Sequence, residues 1–123
     1  MQDMIAAGVT WFEQQRREHL AVTVAYIPAG DEEALAVRAT IGGSRFESVD
    51  AAGQVMRFET RDFLISVEDY ATAPVRGDQI VETQGGVERA YEVMIPGGGQ
   101  NPWQWADRSQ RVRRIHTTLV EET

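Results

Sequence analysis

The chain has 123 residues, 42% hydrophobic and 25% charged, which fits one domain with a modest core and excludes a disordered composition. Cysteine is absent and all 12 basic residues are arginine, so disulfides, thiolate zinc sites, thiol catalysis, Schiff-base lysines and P-loop chemistry are excluded. A net charge of −7 makes a poor general nucleic-acid binder, no apolar run nears the roughly 18 residues of a membrane span, and no basic start leads into an apolar stretch as a secretory signal would.

Residues 1–20 are predicted to form the one helix. Ile5, Val9 and Phe12 fall at i, i+4 and i+7, with Arg16 at i+11, so three apolar side chains line one stripe. Met4, Gly8 and Trp11 widen the stripe. Trp11 and Phe12 point about 100° apart, so one of them can face away from the core.

From Ala21 the period changes to that of strands. Ala21 to Pro28 is rich in Val and Tyr and ends in the turn cluster Pro28-Ala29-Gly30-Asp31. Ala34 to Ile41 alternates, with Leu35, Val37, Ala39 and Ile41 on one face and Arg38 and Thr40 on the other; Gly42-Gly43-Ser44 is expected to end it. Phe46 to Asp50 reads as a short strand or an irregular link, and Ala51-Ala52-Gly53 as a turn. Gln54 to Thr60 and Phe63 to Val67 read as two further strands, joined through Arg61-Asp62.

Pro74 to Asp78 is predicted to be a tight turn, because Pro presets φ and Gly77 accepts positive φ. It feeds a strand at Ile80 to Thr83, a hairpin turn at Gln84-Gly85-Gly86 and a return strand at Val87 to Ile95. Residues 96–102 form a Gly-rich loop. In Trp103-Gln104-Trp105 both indoles point the same way if the segment is extended, Asp107 to Gln110 turns, and Val112 to Val120 is a last strand. The expected architecture is mainly β: a small β-barrel or sandwich of about seven short strands over 21–120, with one N-terminal α-helix, in a single domain spanning 1–123.

No chemistry stands out. His19 and His116 lack His, Asp or Glu partners at metal-ligand spacing, and no serine lies in a G-x-S-x-G elbow. The acidic runs Asp31-Glu32-Glu33, Glu68-Asp69 and Glu121-Glu122 look like solvated turns and a terminus rather than a catalytic carboxylate pair. Gly97-Gly98-Gly99 lacks the Lys-Ser/Thr of a phosphate loop. Arg76-Gly77-Asp78 matches an integrin-binding tripeptide, but the turn explains all three residues. No catalytic residue, metal site or cofactor is expected.

The candidate protein-interface residues are Trp103, Trp105, Arg108, Arg111, Arg113 and Arg114. The two indoles can either cap an open barrel end or anchor a subunit contact, where Trp and Arg are enriched. Four arginines within seven residues, with Arg111 and Arg113 sharing a face and Arg114 opposing them in a strand, can form a solvated edge that resists stray pairing, a docking stripe for an acidic neighbour, or contacts with passing DNA.

The order of features carries a resemblance. It runs from Gly8-Val9-Thr10-Trp11 in the helix, which ends near His19-Leu20, to Val24-Ala25-Tyr26-Ile27, Arg61-Asp62-Phe63-Leu64-Ile65 and Pro74-Val75-Arg76-Gly77-Asp78-Gln79-Ile80. It continues through Tyr91-Glu92-Val93 and Trp103-Gln104-Trp105-Ala106-Asp107 to Arg114-Ile115-His116-Thr117. This series resembles the small head–tail joining proteins, of head-completion or stopper type, of tailed bacteriophages and prophages. It is most specific in the last 60 residues.

The resemblance implies a structural virion protein, assembled in the host bacterial cytoplasm, with no enzymatic activity and no cofactor. It implies a six- or twelve-fold homo-oligomeric ring on the portal or adaptor ring, which retains packaged DNA and receives the tail. DNA would be passing cargo only, with no membrane partner. A tail terminator or minor capsid protein is the nearest alternative. A small-ligand or carbohydrate-binding β module, with Trp103 and Trp105 lining a groove, is an alternative from another class.

Overall fold

The alternating pattern that begins at Val22 folds into antiparallel strands. The computed structural model describes residues 21–31, 33–97 and 100–123. The predicted helix at 1–20 and the centre of the Gly-rich loop lie outside the described residues. Among those described there are seven strands: β1 (Val22–Ile27), β2 (Leu35–Val49), β3 (Val55–Ser66), β4 (Gln79–Gln84), β5 (Val87–Val93), β6 (Trp103–Trp105) and β7 (Val112–Glu122). They form one antiparallel sheet in the order β3-β2-β1-β4-β5-β7-β6. Because β3 also pairs with β7, the hydrogen-bonded circuit β1–β2–β3–β7–β5–β4 returns to its start, and β6 takes the same edge of β7 as β5, continuing its line.

The inner face takes every second residue, as the pleat requires. Val24 and Tyr26 of β1, Val37 and Ala39 of β2, Phe63 and Ile65 of β3, Ile80 of β4, Tyr91 and Val93 of β5 and Ile115 of β7 are buried together. Tyr26 stacks on Tyr70 at 4.1 Å between ring centroids, and Phe63 meets Tyr91 edge-on at 5.4 Å. Glycine shapes the β4–β5 hairpin: Gly85 and Gly86 both have positive φ, 60° and 81°, the two-residue turn whose twist matches the flanking strands.

The return strand β5 stops at Val93 instead of Ile95 and β7 runs on to Glu122, and two larger differences from the sequence reading share one reason. Gly42-Gly43-Ser44 does not end a strand, and residues 54–67 are not two strands. Instead β2 and β3 run as long partners from Thr40↔Leu64 to Val49↔Val55. The glycine at 42 provides a close approach: a Cβ there would lie 3.2 Å from Arg114 Nη1 and 3.3 Å from Leu64 Cδ1. The beginning of this ribbon belongs to the closed circuit. Beyond Gly43 and Thr60 the two strands pair only with each other among the described residues, giving a free arm about 20 Å long.

Candidate interaction site

The root of the arm is clamped from both faces. On the outer face Asp62 is fully buried and gathers four side-chain donors. Ser44 of β2 and Thr60 of β3 donate their hydroxyls, the latter at 2.7 Å, and Arg114 of β7 donates from Nη1 at 3.0 Å. His116 Nδ1 lies 3.0 Å from Asp62 Oδ1. An ionised carboxylate only accepts, so this nitrogen carries the hydrogen. Burial pushes the Asp62 carboxyl up, but hydrogen bonds from His116, Ser44, Thr60 and Arg114 outweigh it and hold the pKa down at about 2. Phe46 closes over His116 edge-on at 5.1 Å.

On the inner face Arg61 Nη2 reaches both oxygens of Glu82 at 2.8 Å, tying β3 to β4 across the interior. Its guanidinium lies over Tyr91 and Phe63 at 5.2 and 5.9 Å. These pairs are invisible to local spacing rules, because Asp62 and His116 are 54 positions apart. The one local signal is the doublet Arg61-Asp62 inside an otherwise alternating segment.

The arm itself has two faces. One carries the paired charges Arg45–Glu59 and Arg57–Glu47, at 3.0 and 2.9 Å and open to solvent. The other carries the stacked pair Phe46–Phe58, followed outward by Met56. At the tip Val49, Val55 and Met56 are 67%, 56% and 58% exposed. Asp50 folds the turn: its Oδ1 accepts from Ala52 N and Gln54 N at 2.9 and 2.8 Å, and Gly53 has φ 82°.

The sequence-predicted interface residues lie at the opposite end. Antiparallel pairing brings there the start of β4, the end of β5, β6 and the start of β7. Trp103 and Trp105 do share a face, meeting edge-on at 4.9 Å. Arg113 lies over both rings, 4.7 and 5.1 Å from their centroids, and donates to the carbonyls of Tyr70, Ala71 and Thr72 at 3.3–3.5 Å. Together with Pro74, Val75, Arg76 and Ile95, the two indoles line a shallow apolar groove.

The four arginines do not act as one stripe. Arg113 is stacked, and Arg114 is turned to the outer face against Asp62. Arg111 precedes β7, so it shares no strand face with Arg113; it and Arg108 are exposed in the turn that Asp107 organises. Asp107 Oδ1 accepts from Arg111 N and Val112 N at 3.0 and 3.1 Å. Slight burial raises its carboxyl, but these bonds and one from Ser109 lower it overall.

The Pro74–Asp78 turn forms as predicted, with Asp78 N bonded to Val75 O at 3.1 Å and Gly77 at φ 98°. Asp78 is 1% exposed and accepts from Tyr26 OH, Ala29 N and Val75 N, so its carboxylate is not available to a receptor. Burial and that bond push the Tyr26 phenol far above its ordinary value, leaving it a permanent donor. Among the described residues no group of three or more His, Asp or Glu side chains could hold a metal ion, and no helix is long and apolar enough to cross a membrane.

A family model described as phage head-tail joining protein matches residues 2–123. No curated protein matches the chain.

Proposed function

The chain belongs to the phage head–tail joining family, and from that premise we propose that it forms a ring in the neck of the virion, joining the portal-bearing head to the tail and helping to retain packaged DNA. Family membership makes it a phage structural protein, whose role implies contact with head or portal and tail proteins. The finer reading is a cyclic homo-oligomer, six- or twelve-fold, of small closed β-barrels carrying no catalytic activity and no cofactor. The observation that carries it is the family match over nearly the whole chain. The build of the domain supports it: buried charges hold strands in place, while the exposed features are an arm and an apolar groove.

A net charge of −7 per subunit, repeated around a ring, makes an acidic collar. Acidic residues facing the channel would repel DNA and let it slide. Trp103, Trp105, Arg108 and Arg111 are the side chains assigned here to subunit or ring-to-ring contact. Arg113 and Arg114 support them from behind, since both are engaged within the domain.

The test is genetic and structural. Particles assembled without this chain should package DNA, leak it and lack tails, and a ring should be visible between portal and tail in complete particles. Tail-bearing, DNA-retaining particles without it would refute the proposal. A ring at the far end of the tail tube, or a position in the shell, would instead make it a tail terminator or a minor capsid protein.

A further inference from the structure

We propose that the tip of the β2–β3 arm of one copy seats in the Trp103–Trp105 groove of a second copy, so that the chain self-associates head to tail. This deepens the ring reading above and rests on it for closure, but not for the contact itself.

The first observation is position. Antiparallel pairing places the arm at the end of the circuit marked by the β4–β5 turn and the end of β7. The groove is at the other end, where β4 and β7 begin and β5 finishes. A knob at one end and a socket at the other make a heterologous contact, which repeats from copy to copy and closes into a ring when the rotation allows. A self-matched two-fold contact would instead need both features on one patch.

The second observation is complementarity. Val49 and Val55 on one face of the narrow ribbon, and Met56 on the other, make its tip aliphatic and exposed. The groove offers Val75 and Ile95, 54% and 41% exposed, beside two half-buried indoles. Such a concave Trp-lined surface takes an inserted aliphatic anchor well. A two-stranded ribbon standing alone in water is marginal, so covering its tip also stabilises the arm.

The third observation is charge. The arm and its turn carry Arg45 and Arg57 against Glu47, Asp50 and Glu59. The four strand charges pair with one another and leave Asp50 at the tip as the excess negative charge. The groove rim carries Arg76, exposed beside Val75. Seating the tip brings Asp50 and Arg76 to the same rim, and no other chain has to be invoked for either half of the contact.

The absence of cysteine makes the test direct. Met56→Cys and Val75→Cys are introduced singly and together, in the full chain, and oxidised at increasing protein concentration. A mixture of the two single variants should give cross-linked Met56→Cys to Val75→Cys pairs in at least five-fold excess over either self-pair. The double variant should give a ladder of multimers. Met56→Glu and Val75→Glu should each weaken self-association at least ten-fold, and mixing these two should restore dimers and nothing larger, since each mixed pair retains one intact contact.

Self-pairs of Met56→Cys in excess, or no ladder above the single-variant level, would overturn the proposal. If wild-type rings persisted under that result, the ring reading would stand and the contact would lie elsewhere. A ladder that never closes, with no ring in particles, would keep this contact and remove the ring.

Discussion

Asp62→Asn tests how the arm is held at its root. The substitution keeps the outline of the side chain but turns one acceptor oxygen into an amide that only donates. The donors come two to each oxygen, so the amide nitrogen meets either Ser44 and Arg114 or Thr60 and His116, and a hydroxyl or imidazole there keeps its bond only by turning to accept. Arg114 also loses its counter-charge. Removing one partner of a buried pair costs about 3–5 kcal/mol. The Arg114 side chain is 26% exposed and recovers some hydration, which puts this case at the low end, about 3 kcal/mol. With a urea slope of about 1.5 kcal/mol/M, the midpoint at pH 7 should fall by about 2 M.

Acid supplies a second readout. The Asp62 pKa is depressed from 3.8 to about 2, so the group binds its proton less readily folded than unfolded. That contributes about 2 kcal/mol of stability, fully present above about pH 4 and lost as pH falls through about 2. Asparagine has nothing to protonate there. The stability gap between the two proteins should therefore narrow by about 2 kcal/mol between pH 5 and pH 2. A gap below about 1 kcal/mol at pH 7, or one that keeps its size in acid, would refute the assignment of Asp62 as the ionised hub.

Gly42→Val should push Arg114 off Asp62 and cost about 1–3 kcal/mol, and combined with Asp62→Asn it should cost less than the sum, because both act through one pair. Asp78→Ala strands Tyr26 OH, Ala29 N and Val75 N, and differential scanning calorimetry should show the melting temperature falling by about 12 °C for a loss of about 3 kcal/mol. Arg113→Met in a Trp11→Phe background should alter the near-ultraviolet circular dichroism of the Trp103–Trp105 pair and lower stability by about 1 kcal/mol. Glu47→Ala should change urea stability by less than about 0.5 kcal/mol, because its pair with Arg57 is open to solvent.

Much of the fold was legible because it is local. Alternation put Leu35, Val37, Ala39 and Ile41 on one face: Val37 and Ala39 are core and Ile41 packs against it, while Leu35 at the strand's start is exposed. Pro74 to Asp78, the Gly85-Gly86 hairpin and the shared face of Trp103 and Trp105 were readable from φ preferences and from the period of two. What misled was glycine at 42. The same residue type serves a turn, where it supplies positive φ, and a close approach, where it supplies room; only the position of Arg114, 72 residues on, distinguishes them. For the same reason the arginine cluster near the end was legible as a cluster but not as separate roles. Arg113 and Arg114 are neighbours in sequence and point to opposite faces of β7, one onto indoles and the other onto a carboxylate supplied by β3.

The placement of buried charge bears on what the arm is for. Apolar residues of the same volume would hold the root about as tightly as buried ion pairs do. They would hold it less directionally, because hydrogen bonds fix angles that packing leaves softer. Asp62 on the outer face joins β2, β3 and β7, while Arg61–Glu82 on the inner face joins β3 to β4, and both lie at the level where the ribbon leaves the sheet. Direction matters there because of leverage. On an arm about 20 Å long, a swing of about 10° at the root carries the tip about 3.5 Å, as far as one side-chain contact reaches. A stiff root therefore lets a small exposed tip meet its partner in one orientation. Asp62→Asn should accordingly weaken self-association of the folded protein at pH 7 even though no atom of Asp62 is exposed. Unchanged self-association in sedimentation, alongside the expected loss of stability, would show that the clamp serves the fold alone.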